Sequence, residues 1–306
     1  MTKIGVQAMM LKENFAKVGP FETLREVSEI GYHAVEISQI PMTTENVAEL
    51  QLARTELGMD IAALSAPLTG MPGMPGESLS SDFNKIVDDA KALGSTMIRM
   101  GMLPFDAMAS LDKVREFADN SNEMAARLRE QGIGLYYHNH HIEFAKYDGR
   151  YLLDIIADRA PLMGLEVDVH WVQRGGLDPV KTLAKYNDRV AMVHLKDYRI
   201  GQIPPEAFGL LGTGDIAGFM AAFTGVVQFA EVGEGNLDFA AIIEQSLAIG
   251  AQYLLVEQDE HYGRTPLECL QTSYDNLVAL GYRHLFDAPA SPSSSETGPV
   301  LSGAAG

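Results

Sequence analysis

Cysteine is almost missing from this 306-residue chain, which carries only Cys269. No internal disulfide can form, which excludes the small cross-linked secreted scaffolds and fits a reducing compartment. Positive charge is also scarce. Forty-one acidic side chains against 23 basic ones leave a net charge of −18. A field of that sign repels nucleic-acid backbones and anionic membranes. A phosphorylated or acidic substrate would therefore need a local basic pocket or a metal ion. No apolar run approaches the length of a membrane span. The first residues, MTKIGVQAMMLKENF, lack the apolar segment and small-residue cleavage site of a signal peptide. These absences lead to the expectation of a cytoplasmic protein that engages neither nucleic acid nor membrane.

The composition that remains is ordinary for a globular protein, at 46% hydrophobic and 21% charged. The length suits one barrel domain or two smaller domains. Eight short runs rich in Val, Ile, Leu and Met have the character of strands buried on both faces. They are Ile4–Met9, Ala34–Ile37, Ile61–Leu64, Met97–Met100, Gly134–Tyr137, Gly164–Val167, Val190–Leu195 and Tyr253–Val256. Helical patterns fill the gaps: Phe21–Ile30, Glu45–Leu57, Phe83–Leu93, Asp112–Gln131, Leu152–Ala157, Pro179–Tyr186, Phe239–Ile249 and Pro266–Leu280. Several stop at glycine (Gly31, Gly58, Gly94, Gly132, Gly250), the residue that closes a helix in a left-handed turn. Eight such units predict an α/β protein of the closed (β/α)8 TIM-barrel type, with a doubly wound open sheet as the competing arrangement. The barrel is assigned to residues 1–287. Residues 198–237, after the seventh strand, interrupt the rhythm as a long inserted loop with an apolar stretch at Ile216–Phe229. A segment of that length is functional or disordered in most compact domains, and this one is too apolar for a solvated linker. The Ser-, Pro-, Gly- and Ala-rich tail 288–306 is expected to be disordered.

Barrel enzymes build their sites at the C-terminal ends of the strands. Strand five ends in Tyr137-His138-Asn139-His140-His141 with Glu143 two residues on, strand six in Asp168-Val169-His170-Trp171, strand seven in His194-Leu195-Lys196-Asp197, and strand eight in Glu257-Gln258-Asp259. Glu143, Asp168, His194 and Glu257 are thus four metal-compatible side chains from four successive strands. Three carboxylates and one neutral imidazole suit a hard to borderline divalent cation; Mn²⁺ fits best, and Mg²⁺, Co²⁺, Fe²⁺ and Zn²⁺ are compatible. Without a cation the carboxylates would repel one another. Such an ion stabilises the enediolate formed when a proton leaves the carbon beside a sugar carbonyl. Period-two alternation turns His138 and His140 toward the barrel mouth as candidate catalytic or substrate contacts, and His141 away from it. His170, Trp171, Lys196 and Glu36 are candidate substrate contacts: Trp171 by stacking on a sugar ring, Lys196 by reaching a substrate oxygen. Asp197 is read as orienting a ligand, and Gly233-Glu234-Gly235 as a turn.

The segments YHNHHIEF, EVDVHW, VHLKD and VEQD together resemble the xylose isomerase-like barrel superfamily, and within it the bacterial sugar phosphate isomerase/epimerase type, over about residues 3 to 285. The resemblance implies a metal held by glutamate, aspartate, histidine and glutamate of strands five to eight. It also implies that Glu143 and Glu257 exchange the sugar proton on opposite faces. Trp171 stands where many epimerases have a histidine. The histidine-rich end of strand five and the enlarged loop are also similar to the metal subunit of C-glycoside deglycosidases. That similarity implies a carbon–carbon lyase acting through an enolate on 3-keto glycosides, His138 or His140 as general acid or base, and a small β-sandwich partner subunit. A homo-oligomer is the other partner arrangement. A multi-zinc DNA-repair endonuclease of the same fold is disfavoured, because strands three and four end near Ser65 and Arg99 instead of histidines. A non-catalytic sugar-binding protein is the remaining alternative, distinguished by a pocket without metal.

Overall fold

The eight apolar runs pair in chain order, every one parallel to its neighbours, and the last returns to the first. In the computed structural model, which describes residues 1–70 and 76–286, the barrel strands are β1 (Lys3–Gln7), β2 (Ala34–Ile37), β3 (Asp60–Ser65), β4 (Met97–Met100), β5 (Gly134–His138), β6 (Gly164–Asp168), β7 (Val190–Leu195) and β8 (Tyr253–Val256). Their hydrogen-bonded order closes a barrel, 1-8-7-6-5-4-3-2. Closure, which counting units could not decide, rests on the pairing of Lys3 with Tyr253 and of Val6 with both Val256 and Val35. The tail 288–306 lies outside the described residues.

Helices cover the barrel as their sequences dictate. Pro20–Ile30 starts on a proline that fixes the first-turn φ. It stops at Gly31, whose φ of 124° and lack of a side chain beside the Tyr274 ring both require glycine. Pro266–Ala279 opens on a reciprocal capping box between Thr265 and Glu268. The main core lies between helices and strands, with Ile4, Val6, Leu24, Val35, Leu128, Val167, Val193 and Leu254 essentially inaccessible.

Inside the barrel the side chains form layers, because residues two apart on a strand share a face. A separate apolar cluster that includes Met97, Met192 and Leu255, with Tyr136 and Tyr253 against it, plugs the lower end. Two positions further along the same strands stand Arg99, His194 and Glu257, so the interior turns polar above this plug.

The segment 198–237 is ordered. Asp197–Ile200 and Val227–Ala230 pair as an antiparallel stem, and the helices Ala207–Thr213 and Ile216–Thr224 extend from it. The apolar stretch at Ile216–Phe229 is therefore two elements, divided at Gly225. Phe208, Leu211, Ile216, Met220 and Phe223 on these helices are exposed. No helix among the described residues is long and apolar enough to cross a membrane.

Candidate metal centre at the barrel mouth

The upper layer is built from the ends of three strands and the residue that follows a fourth. Asp168 closes β6 opposite His194 on β7. It also caps the short helix Val169–Arg174, its Oδ1 accepting from the Trp171 amide at 3.0 Å. That bond leaves Oδ2 facing the barrel axis. Asn139 locks the strand end from the other side, with its Oδ1 accepting the Asp168 amide at 3.1 Å. One ligand atom each from His138, Asp168, His194 and Glu257 lies within 4.8 Å of every other, and all four residues are buried.

Glu143, expected as the strand-five ligand, does not join this group. It sits in a short 3₁₀ turn, Ile142–Phe144. Its carboxylate is held by the Tyr137 hydroxyl at 2.6 Å and the His140 amide at 2.8 Å. Burial pushes its carboxyl above the usual range, against those donors. His138, the last residue of β5 and expected to contact substrate or move its proton, takes the inward position instead. The physical reason is the pleat: β5 ends at His138, and the chain then leaves the strand, so the alternation that points His138 inward does not extend to Glu143.

His138 supplies the test of whether a cation fits. Its Nδ1 lies 3.2 Å from the Gly101 carbonyl, which can only accept, so Nδ1 carries the ring proton. Burial holds the ring's pKa down, outweighing the pull of Asp168. In this neutral tautomer Nε2 is a bare lone pair, 3.4 Å from Asp168 Oδ2. Neither atom has a hydrogen-bond partner. Two buried acceptors facing each other are costly without a proton or a metal between them, and the ring's only proton is committed to Gly101. Two imidazoles and two carboxylates are a donor set for Mn²⁺, Fe²⁺, Co²⁺ or Zn²⁺. With imidazole in place of the expected strand-five carboxylate, Mg²⁺ would be a poorer match than the sequence implied.

A second group lies one layer down. Glu36, at the end of β2, and Glu166 on β6 flank Arg99 from β4, at 2.5 and 3.3 Å from its Nε. Both carboxylates also face His194 Nε2, at 2.8 and 3.2 Å. Burial raises Glu36, but Arg99 and His194 outweigh it and hold its carboxyl below the usual range. Burial and neighbouring Glu36 push Glu166 up to about 7. Arg99 is already this group's cation. Glu36 therefore orients His194 through Nε2, and Nδ1 lies 2.8 Å from Glu257 Oε2. Burial lowers the pKa of this ring, but Glu166, Glu257 and Glu36 outweigh it and hold it well above the usual range, so a cation bound at Nδ1 would have to displace a proton. Glu36, expected as a substrate contact, is engaged here by Arg99 and His194.

Lys196 is fully buried and reaches Asp259 at 2.8 Å, Glu257 at 3.1 Å and Asp168 at 3.6 Å. Burial pushes Glu257 up, but Lys196 and His194 outweigh it, so it is ionised. Gln7 of β1 donates to the other Glu257 oxygen at 3.2 Å. Around this centre stand the remaining candidates. The His140 ring lies 4.8 Å from His138 and 5.4 Å from Trp171. Lys196 Nζ is 5.1 Å from the Trp171 ring, and His170 stacks on Phe229 at 4.5 Å. Burial draws the His140 pKa down to about 3, leaving a neutral imidazole. His141 packs on the outer side of Trp171, at 5.2 Å. The Asp197 carboxylate accepts the amides of Tyr198, Gly233, Gly235 and Leu237 and pins the stem of the inserted segment.

Sequence reading missed Arg99, Asn139, Gln7 and Phe229 as parts of the site. Arg99 carried a signal, since an arginine inside the apolar run Met97–Met100 must have buried carboxylate partners. Phe229 carried none, because its position depends on how the stem folds back.

Comparisons with known proteins agree with this architecture. A family model for the xylose isomerase-like TIM barrel matches residues 24–278. The rhizopine catabolism protein MocC of Rhizobium meliloti is 29% identical over 170 residues, and the match spans about half of each protein, 53% of this chain and 49% of MocC. Among solved structures, a sugar phosphate isomerase/epimerase from Parabacteroides distasonis superposes with a TM-score of 0.67 at 19% identity, covering 92% of this chain and 96% of that one. The 3-keto-D-glucoside 4-epimerase YcjR of E. coli gives 0.60 at 20% identity, with 92% and 99% covered. The chain belongs to the xylose isomerase-like TIM-barrel family.

Proposed function

We propose that this chain is a divalent-metal-dependent enzyme that removes a proton from the carbon beside the carbonyl of a keto sugar and returns it to the neighbouring carbon or to the opposite face of the same one, as an isomerase or epimerase. The observation that carries this reading is the unprotonated His138 Nε2 facing Asp168 Oδ2 at 3.4 Å within a group completed by His194 and Glu257. A cation held by these four residues would supply positive charge beside the substrate carbonyl, favouring loss of the neighbouring proton. The chain's own residues do the rest. Glu257, kept ionised by Lys196, is the base. Lys196 Nζ donates toward the oxygen that becomes negative. Neutral His140 stands on the other side as the second proton carrier.

The placement of Glu143 bears on the reaction. Exchange of a proton between two metal-bound glutamates needs a carboxylate on strand five, and Glu143 is committed to Tyr137 and His140. A reaction with a single carboxylate base is therefore the better fit. That favours a second reading, elimination from a 3-keto glycoside, which includes carbon–carbon lyase chemistry. There Glu257 takes the proton, the resulting enolate expels the leaving group, and Lys196 protonates it. The test is proton exchange in D₂O, followed by NMR, with Mn²⁺-loaded protein and a panel of free ketoses and 3-keto glycosides. Exchange or aglycone release is expected with at least one substrate, and is lost together with bound metal in Asp168→Asn. Activity that survives in a metal-free variant would sink the proposal.

A further inference from the structure

His170 and Trp171 follow the metal-group residue Asp168 on a helix of six residues, and each carries a ring nitrogen that is buried and has no hydrogen-bond partner. His170 is 1% exposed. Its Nδ1 lies 3.0 Å from the Asp197 carbonyl, so the proton of the neutral ring is on Nδ1 and Nε2 can only accept. The ring cannot turn away, since Phe229 stacks on it and Tyr198 packs at 5.4 Å, both held by the stem that Asp197 pins. Trp171 Nε1 is the converse, a donor only. The two rings touch edge to face at 4.9 Å. An acceptor and a donor on adjoining rings, both without partners, suit a group that both donates and accepts, which is a hydroxyl. A phosphate dianion has no proton to give Nε2.

The surrounding charge points the same way. Lys196 and Arg99 are the only buried lysine and arginine among the described residues, and both are engaged by carboxylates. Residues 71–75 and 287–306 contain neither type. A phosphate group brought beside Trp171 would meet Asp259 with no free buried lysine or arginine among the described residues to offset it, the proposed cation being committed to Asp168 and Glu257.

We propose that His170 Nε2 and Trp171 Nε1 form a hydroxyl-reading subsite, which selects an unphosphorylated sugar and rejects sugar phosphates. This inference rests on the keto-sugar reading for the location of the substrate and adds its class. The stem of the inserted segment is then part of the specificity machinery, through Phe229.

Trp171 is the chain's only tryptophan, so its fluorescence reports binding at this place and no other. Mn²⁺-loaded protein is titrated with D-fructose, D-tagatose, D-psicose and methyl 3-keto-β-D-glucoside, and with fructose 6-phosphate and tagatose 6-phosphate. At least one neutral sugar is expected to move the emission saturably, with phosphates at least about tenfold weaker. His170→Leu weakens the neutral sugar about tenfold, and His170→Gln, whose amide oxygen accepts, recovers most of it. A phosphate that binds as tightly as the neutral sugars, an unchanged Kd in His170→Leu, or silence from every neutral sugar would overturn the subsite. D₂O exchange on the same samples separates the two ideas. Exchange that prefers the phosphates refutes the subsite alone, whereas tight neutral-sugar binding without exchange of any substrate refutes the reaction and leaves the subsite standing.

Discussion

Single residues decide the chemistry here by the direction in which the pleat turns them. Asp168, His194 and Glu257 could be placed on the rim from sequence because each ends a clean apolar run. The strand-five contribution was harder to read, because YHNHHIE offers three histidines and a glutamate within six residues. A glutamate suits a metal by its chemistry, but only the exact end of β5 settles which side chain faces inward, and strand ends are the least legible feature of a sequence. Arg99 shows a second limit. Its partners Glu36 and Glu166 lie 63 and 67 positions away, and only barrel closure brings them to it. Removing it leaves two buried carboxylates with only His194 to offset them. Arg99→Met is therefore expected to cost about 3–5 kcal/mol, read from urea unfolding, although methionine fills much of the same space. A loss below about 1 kcal/mol would show that Glu36 and Glu166 do not depend on this guanidinium.

At the scale of elements, the strands were legible to within a residue or two and most helices to within a turn, because hydrophobic period and terminal glycines are local signals. The inserted segment was legible only as apolar and too long. Its stem forms because Asp197, the first residue of the stem, gathers four backbone amides from both sides of the insertion. Gly235 must pass so close that any Cβ there would lie 2.2 Å from the Asp197 carboxylate. No pattern within residues 198–237 announces such a clamp. Asp197→Ala strands those amides, at about 1–3 kcal/mol for each partner lost. Cleavage of residues 201–225 under limited proteolysis should accelerate at least about tenfold, by local opening of the stem. An unchanged cleavage rate would show that the stem is held by its strand pairing alone.

Across the whole molecule, the barrel concentrates charge that its composition only hinted at. An excess of acid spread over 306 residues is a matter of solubility. Five carboxylates (Glu36, Glu166, Asp168, Glu257 and Asp259) gather around Lys196, Arg99 and His194, a concentration that composition does not reveal. The lower layer holds its own cation, and the upper layer has two facing acceptors that none of its neighbours satisfies. The central claim is that the strand-five ligand is His138 and not Glu143. It is tested most directly by elemental analysis of the wild type, His138→Ala and Glu143→Gln, each purified, loaded with Mn²⁺ and desalted alike. One equivalent of divalent metal is predicted in the wild type and in Glu143→Gln, and less than about a tenth of an equivalent in His138→Ala. Metal retained by His138→Ala and lost from Glu143→Gln would contradict the account.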